Sequence, residues 1–167
     1  RWLKMSEEYL SIVNKIITNR KFQKLKQETH HHTTNRFDHC LAVSYKSYLI
    51  CKRLNLDYES AAKAALLHDF FFDEEFKNMS RQTKLVKHYE CSLKNAKKLS
   101  KLSKKEENII ASHMFPIGGK TPRYLESIIV NAVDDQVAIR ENLAGKTLRL
   151  KNSLYVMALV CISFLWH

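Results

Sequence analysis

Residues 61–69 read AAKAALLHD and form the most informative segment of the chain. The alanines and leucines create a small-residue stripe, which favours close packing against neighbouring helices. Asp57 precedes the segment at a position suited to a helix N-cap. The segment ends in two polar residues, His68 and Asp69, and each needs a partner if the helix is buried. It therefore predicts a buried helix that carries a polar site at its end.

Glycine and proline are scarce in this sequence of 167 residues, which has 3 Gly and 2 Pro. The first of either is Pro116, so most of the chain precedes any residue that breaks helices or supports tight hairpins. The proportions of hydrophobic residues, 45%, and charged residues, 27%, are typical of globular proteins. We therefore expect an all-α protein with one domain over residues 1–167.

Signals for helix starts divide the chain into about seven helical segments. We expect helices over residues 6–26 and 36–54, from residue 57, over 80–87 and 89–99, from 103 to about 114, and from 121 to about 142. Ser103 and Glu106 form a predicted capping box at the start of the sixth segment. The last segment is apolar on nearly every side, so we expect it to lie at the centre of the bundle.

The chain is strongly basic, with 28 Lys and Arg residues against 17 Asp and Glu and a net charge of +11. Such a balance favours a polyanionic partner, which includes nucleotides, nucleic acid and anionic lipid. Between Arg81 and Lys105 the sequence has nine basic residues and a single carboxylate, Glu90. This stretch predicts either an electropositive rim that attracts a nucleotide or a simple solvated helical face.

The sequence also favours a reducing, cytoplasmic compartment. Its four cysteines lack metal-type or redox-type spacing, so we expect free thiols. The first twenty residues mix charged and apolar positions, unlike a secretory signal. The longest apolar run, residues 154–166, has 13 residues, fewer than the roughly 20 that span a bilayer. We therefore expect no membrane partner.

Polar residues that interrupt apolar helices form the candidate site. Asp134 and Asp135 interrupt the last helix, where an unpaired carboxylate costs several kcal/mol, so one of them needs a cation. A lone histidine on an apolar face is usually a hydrogen-bonded core residue, but burying several without a metal is hard to satisfy. Imidazole and carboxylate groups are the ligands of Mn, Fe, Co, Ni or Zn. The candidate ligands are His39, His68, Asp69, His88, His113 and Asp134.

Four ordered segments combine these residues with short motifs: RFDH at residues 36–39, ALLHD at 65–69, IIASH at 109–113 and NAVD at 131–134. Together they resemble the motifs of the HD superfamily of metal-dependent phosphohydrolases. His88 and His113 match the two intermediate histidines of the subgroup that binds two metals. The resemblance implies an all-α HD-like domain with its metal-binding core at about residues 36–141 and flanking helices at both ends.

The resemblance also implies roles for the six residues and a cofactor of one or two divalent transition-metal ions. His39, His68, Asp69 and Asp134 would hold one ion, with Asp134 favoured over Asp135 by the family register. Asp69 would bridge to a second ion completed by His88 and His113, and His68 with Asp69 would be the catalytic pair.

The same resemblance narrows the substrate class. The six-ligand pattern is similar to that of hydrolases of dinucleoside polyphosphates. Residues 70–72 are all phenylalanine, where glycine and lysine often follow the HD pair, and this departs from the cyclic-dinucleotide phosphodiesterases.

Four basic residues are candidates for contact with a substrate phosphate: Arg36, Lys87, Lys120 and Arg123. A solvated surface position is the alternative for each lysine. The histidine run at residues 30–32 predicts a polar loop or an adventitious metal contact.

These features favour a metal-dependent phosphohydrolase that acts on a nucleotide or another small phosphorylated compound. An HD-fold nucleotide sensor with little turnover is one alternative. A basic helical protein that binds nucleic acid is another, less favoured because the basic residues are dispersed without interleaved aromatic residues. We expect no specific nucleic-acid partner, and an oligomer is compatible with the sequence.

Overall fold

The computed structural model describes residues 5–30 and 34–144, and helices make up nearly all of its regular structure. Within these residues the α-helices are α1 (Glu7–Ile17), α2 (Arg20–Gln23), α3 (Arg36–Arg53), α4 (Tyr58–Leu67), α5 (Arg81–Leu99), α6 (Lys104–Ser112) and α7 (residues 125–144). Short 3-10 helices cover Lys24–Gln27 and Asp73–Phe76. Two-residue strands, β1 (Thr29–His30) and β2 (Thr34–Asn35), pair antiparallel. The all-α prediction is confirmed.

Helix α4 lies at the centre of the fold. Its alanines and leucines are completely buried, and it packs against α1, α3 and α6. Small side chains let the axes of neighbouring helices approach closely, which is why an alanine-rich helix can be surrounded on several sides. Asp57 caps α4 by accepting a hydrogen bond from the Ser60 backbone N–H, as the sequence predicts.

The expectation that the last helix is central was wrong. On α7, Val130, Val133 and Val137 are buried, but Leu125 and Ile139 are about 60% exposed. The helix therefore lies at the periphery and turns one apolar face inward. Apolar residues all round a helix favour burial only if enough neighbours surround it, and in the described residues α4 holds that position.

Two predicted helix boundaries also differ. The segment predicted over residues 6–26 divides after α1, because the Asn19 side chain accepts from the N–H groups of Lys21 and Phe22 and starts α2. The segments predicted over residues 80–87 and 89–99 form the single helix α5, since no glycine or proline interrupts them. The predicted capping box of Ser103 and Glu106 is present at the start of α6.

Other sequence expectations concern thiols and membranes. Cys40, Cys51 and Cys91 are free thiols. Among the described residues, none of the helices combines the length and apolarity needed to cross a bilayer. Cys161 and the apolar run at residues 154–166 lie outside the described residues, as do residues 31–33 of the histidine run.

Candidate metal centre

Two groups of three ligand-type side chains meet at one end of α4. The first group contains His39 from α3, His68 at the end of α4 and Asp134 from α7. The Nε2 atoms of His39 and His68 lie 2.9 and 3.4 Å from Oδ1 of Asp134. Both imidazoles are fully enclosed, and the Asp134 side chain is 11% exposed.

The second group contains Asp69, His88 from α5 and His113 at the end of α6. Oδ1 of Asp69 lies 3.4 Å from Nε2 of both histidines, and these two nitrogens are 2.9 Å apart. Asp69 also approaches the first group, since its Oδ2 lies 3.9 Å from Nε2 of His68. The two groups are therefore neighbours, with Asp69 between them.

Three of the four imidazoles are oriented by the backbone of their own helix. Nδ1 of His68 donates to the Ala65 carbonyl at 2.7 Å, and Nδ1 of His113 donates to the Ile110 carbonyl at 2.8 Å. Nδ1 of His88 donates to the Lys84 carbonyl, one turn earlier on α5, at 3.2 Å. A carbonyl only accepts, so the proton is on Nδ1 and the lone pair of each neutral ring is on Nε2. All three Nε2 atoms point into the cluster.

His39 is oriented by side chains. Its Nε2 faces Asp134, and its Nδ1 lies 3.0 Å from Oε2 of Glu141 on α7. Asn35 caps α3 by accepting from the Asp38 N–H, which places His39 in the first turn. A carboxylate that accepts from the outer nitrogen of a ligating histidine is a common support of metal sites.

The charges of the cluster are strongly coupled. Burial alone would lower the pKa of His39, but hydrogen bonds to Asp134 and Glu141 outweigh it and raise the pKa to about 10. Burial would raise the pKa of Asp134, yet the adjacent imidazoles of His68 and His39, the second through a hydrogen bond at 2.9 Å, hold it well below its usual range. The pKa of Asp69 is lowered against the effect of burial by the neighbouring histidines His68, His113 and His88. The carboxylates are thus anionic and need positive charge close by.

The donor set fits a divalent transition metal. Within the described residues Nε2 of His68 is buried without a hydrogen-bond partner, and the Nε2 atoms of His88 and His113 lie 2.9 Å apart, where two neutral rings would set two lone pairs against each other. Ligands bonded at about 2.0–2.1 Å with angles of 90–109° stand roughly 2.9–3.4 Å apart. The contacts of 2.9 and 3.4 Å in both groups match this spacing. Imidazole nitrogens with carboxylate oxygens suit Mn, Fe, Co, Ni or Zn.

The structure distinguishes the two adjacent aspartates of α7. Asp134 points into the first group, whereas Asp135 is exposed. The pKa of Asp135 is raised by partial burial and by the charge of Asp134. Successive residues of a helix point about 100° apart, so only one of the pair can enter the cluster.

Arg36 is held by the protein itself. Its guanidinium forms ion pairs with Glu28 at 3.1 Å and Asp73 at 3.0 Å, donates to the Phe71 carbonyl and packs 3.9 Å from the centre of the Phe71 ring. The side chain is 4% exposed. These contacts tie the loop after Asp69 to the start of α3, which favours a structural role over the predicted phosphate contact.

The other predicted phosphate contacts fall in two places. Lys87 is exposed on α5 beside His88. Lys120 and Arg123 line a groove formed by α5, α6 and the loop before α7, and none of the six candidate ligands lines that groove. The structure therefore does not bring Lys120 and Arg123 into the cluster.

Sequence reasoning missed two supporting residues. Glu141 follows Asp134 by seven residues, which puts both on one face of α7, so its role had a signal in the spacing. Asn131 donates through Nδ2 to the carbonyls of His113 and Phe115 at 2.7 and 2.8 Å and fixes the turn after α6. Its role had no such signal, because it depends on how two distant segments pack.

Comparison with known proteins agrees with this geometry. No curated protein and no solved structure matches the chain significantly. The HD domain family matches residues 36–138, which begin at the start of α3 and include all six candidate ligands. The protein therefore belongs to the HD domain family.

Proposed function

We propose that this protein is a metal-dependent phosphohydrolase that cleaves a phosphate ester or anhydride bond of a nucleotide or a related small phosphorylated compound. The observation that carries the proposal is the pair of adjoining three-residue groups with Asp69 between them. Its family membership supports the same conclusion. The proposed substrates include dinucleoside polyphosphates, whose anhydride bonds suit a site with two cations.

The six residues divide the proposed work. His39, His68 and Asp134 would hold one ion, and Asp69, His88 and His113 would hold the other. Divalent ions in such sites supply a nucleophilic water at neutral pH and offset the charge that accumulates on the phosphoryl oxygens. His68 and Asp69 are the proposed catalytic pair, because they are adjacent in the chain and contribute to the two different groups.

The remaining contributions come from the protein around the cluster. Backbone carbonyls keep the Nε2 atoms of His68, His88 and His113 aimed inward, so these side chains would need little rearrangement when a metal ion binds. Burial of the imidazoles keeps water away from them and strengthens their electrostatic interactions with the carboxylates and with bound cations. Lys87 is the proposed contact to a substrate phosphate, since it is exposed and adjoins His88.

The test combines metal analysis with product detection. Protein purified without chelator is assayed for bound Mn, Fe, Co, Ni and Zn, and metal-loaded protein is then incubated with a panel of nucleoside phosphates and dinucleoside polyphosphates. We expect up to two ions per chain and release of phosphorylated products. The variants His68→Ala and Asp69→Asn should lose at least about a hundredfold in activity, because even the partners of metal ligands contribute 10- to 100-fold.

A matched control separates the cluster from the histidine run. Replacing residues 30–32 with alanine removes three histidines that are not among the six candidate ligands, so it should leave bound metal and turnover unchanged. Stoichiometric metal and tight nucleotide binding without turnover would make the protein a sensor. Absence of bound metal from the wild-type protein, both as purified and after incubation with added metal, would overturn the proposal.

A further inference from the structure

A basic groove runs along the outer side of α5 and α6. It consists of two cavities of about 520 and 530 Å³ that share Leu93 and Lys120 in their walls. We call it the lysine groove and define it by its cationic residues, which are Lys94, Lys97, Lys98, Lys104, Lys120 and Arg123. Two half-buried tyrosines, Tyr89 and Tyr124, also line it.

The lysine groove is separate from the candidate metal centre. At about 100° per residue, Leu93 and Lys97 lie roughly 140° and 180° around α5 from His88. By the same measure, Lys104 lies about 180° around α6 from His113. Other groove residues lie closer around α5, such as Tyr89 and Lys98 at about 100° and 80° from His88. None of the six candidate ligands lines either cavity, so the groove is distinct from the candidate metal centre.

The charges of the lysine groove are available to a ligand. All six cationic side chains are exposed. Among the described residues only Lys97 has an ion pair, to Glu107 at 2.8 Å. The other carboxylate in the walls, Glu90, accepts a hydrogen bond from the Tyr89 hydroxyl at 3.2 Å. The groove is thus a concave surface with a large excess of positive charge.

The tyrosines indicate which polyanion fits best. Tyr124 lies beside Arg123, whose backbone N–H donates to the Asn108 side chain at 2.8 Å and fixes that wall of the groove. Aromatic rings interleaved with lysines are typical of surfaces that bind single strands, because lysines contact phosphates while successive bases stack on the rings. A lipid headgroup or a phosphorylated peptide would use the lysines but would not need the rings. A duplex keeps its bases stacked inside and would not reach them.

We propose that the lysine groove binds single-stranded nucleic acid without preference for base sequence. Lysines would contact the phosphates, and bases would stack on Tyr89 and Tyr124. Folding brings Lys120, Arg123 and Tyr124 beside the basic stretch of α5 and α6, which already contains Tyr89, and so places both tyrosines among the lysines of one groove. The proposal does not depend on the proposed phosphohydrolase activity, because none of the six candidate ligands lines the groove.

The experiment measures binding of the chain of residues 1–167 to fluorescently labelled oligouridylate and oligothymidylate by anisotropy over a range of KCl concentrations. We expect binding that weakens steeply with salt, with a slope of about −0.7 per phosphate contact. The variant Lys94→Glu/Lys98→Glu should bind at least about tenfold more weakly, and the magnitude of its salt slope should fall by roughly 1.4. The matched control, Lys24→Glu/Arg53→Glu, changes the net charge equally at exposed positions outside the groove and should bind nearly as wild type.

A second pair of variants isolates stacking. Tyr124→Leu should weaken binding roughly 5- to 150-fold, whereas Tyr124→Phe should retain it, because stacking needs the ring and not the hydroxyl. Thermal melting of each variant confirms that it is folded. Equal losses in the two charge-reversed variants, no effect of Tyr124→Leu, or equal binding of duplex DNA or anionic phosphatidylserine vesicles would each overturn the proposal.

Discussion

The sharpest test of the metal centre compares two neighbouring substitutions on α7, Asp134→Asn and Asp135→Asn. Both replace a carboxylate by an amide of the same shape and change the net charge by the same amount. Asp134 receives a hydrogen bond from His39 at 2.9 Å inside the first group, whereas Asp135 is exposed. Any difference between the variants therefore comes from the position of the carboxylate and not from total charge.

The expected magnitudes have two parts. Without metal, Asp134→Asn loses a buried charge-assisted hydrogen bond worth about 1.5–3 kcal/mol, which corresponds to a fall in Tm of about 3–12 °C. With metal present at a hundred times its Kd, the wild type gains about 2.7 kcal/mol of stability. If loss of the ligand weakens affinity a hundredfold, the same concentration adds only about 0.4 kcal/mol. Asp135→Asn should keep nearly the whole metal-induced gain.

The assay is thermal unfolding of chelator-treated protein with and without added Mn²⁺ or Zn²⁺, checked by elemental analysis after desalting. We expect Asp135→Asn to follow the wild type in both measurements and Asp134→Asn to lose the metal-induced shift. Equal metal-induced shifts in the two variants would falsify the assignment of Asp134 to the first group of ligands.

Three further predictions concern supporting residues. Glu141→Ala should weaken metal affinity by about 10- to 100-fold in a competition with a coloured chelator, because it releases His39 from its orienting carboxylate; unchanged affinity contradicts that role. Glu126 on α7 accepts a hydrogen bond from Nζ of Lys105 at 2.8 Å. Burial would raise the pKa of Glu126, but this hydrogen bond lowers it, so its stabilisation is present above the usual pKa of 4.5 and is lost as the pH falls through the folded value. Urea unfolding should show Glu126→Gln less stable by about 1–3 kcal/mol at pH 7, with a smaller difference below pH 4.5, whereas a constant difference excludes the ionic contribution. Leu66→Ala, at a fully buried site near the C-terminal end of α4, should cost about 2–5 kcal/mol of unfolding free energy. Leu54→Ala, at a site 57% exposed, should cost about 0.5 kcal/mol or less, and similar losses at both sites would contradict the central position of α4.

Much of the fold was predictable because it depends on local chemistry. The run of alanines and leucines before His68 identified a helix suited to close packing, and side chains such as Ser103 identified helix starts. The position of α7 was not predictable in this way. Its apolar residues satisfy a helical pattern on every side, and the pattern does not tell which side other helices cover. That information resides in tertiary packing.

The cluster shows the same division. The six candidate ligands could be named because polar residues on apolar helices are costly and therefore noticeable. The backbone acceptors of His68, His88 and His113 could not be named, since they depend on side-chain rotamers. The predicted contacts by Arg36 and Lys120 also depended on geometry, and the structure places one in an ion-pair network and the other in the lysine groove.

The carbonyl acceptors of His68, His88 and His113 determine which substitutions the candidate metal centre can tolerate during evolution. Every residue type possesses a main-chain carbonyl, so replacements at Ala65, Lys84 or Ile110 that preserve the helix leave each acceptor in place. The acceptor of His39 is the side chain of Glu141, so most substitutions of Glu141 remove it. A random substitution of the acceptor residue should therefore disturb the orientation of His39 far more readily than that of His68, His88 or His113.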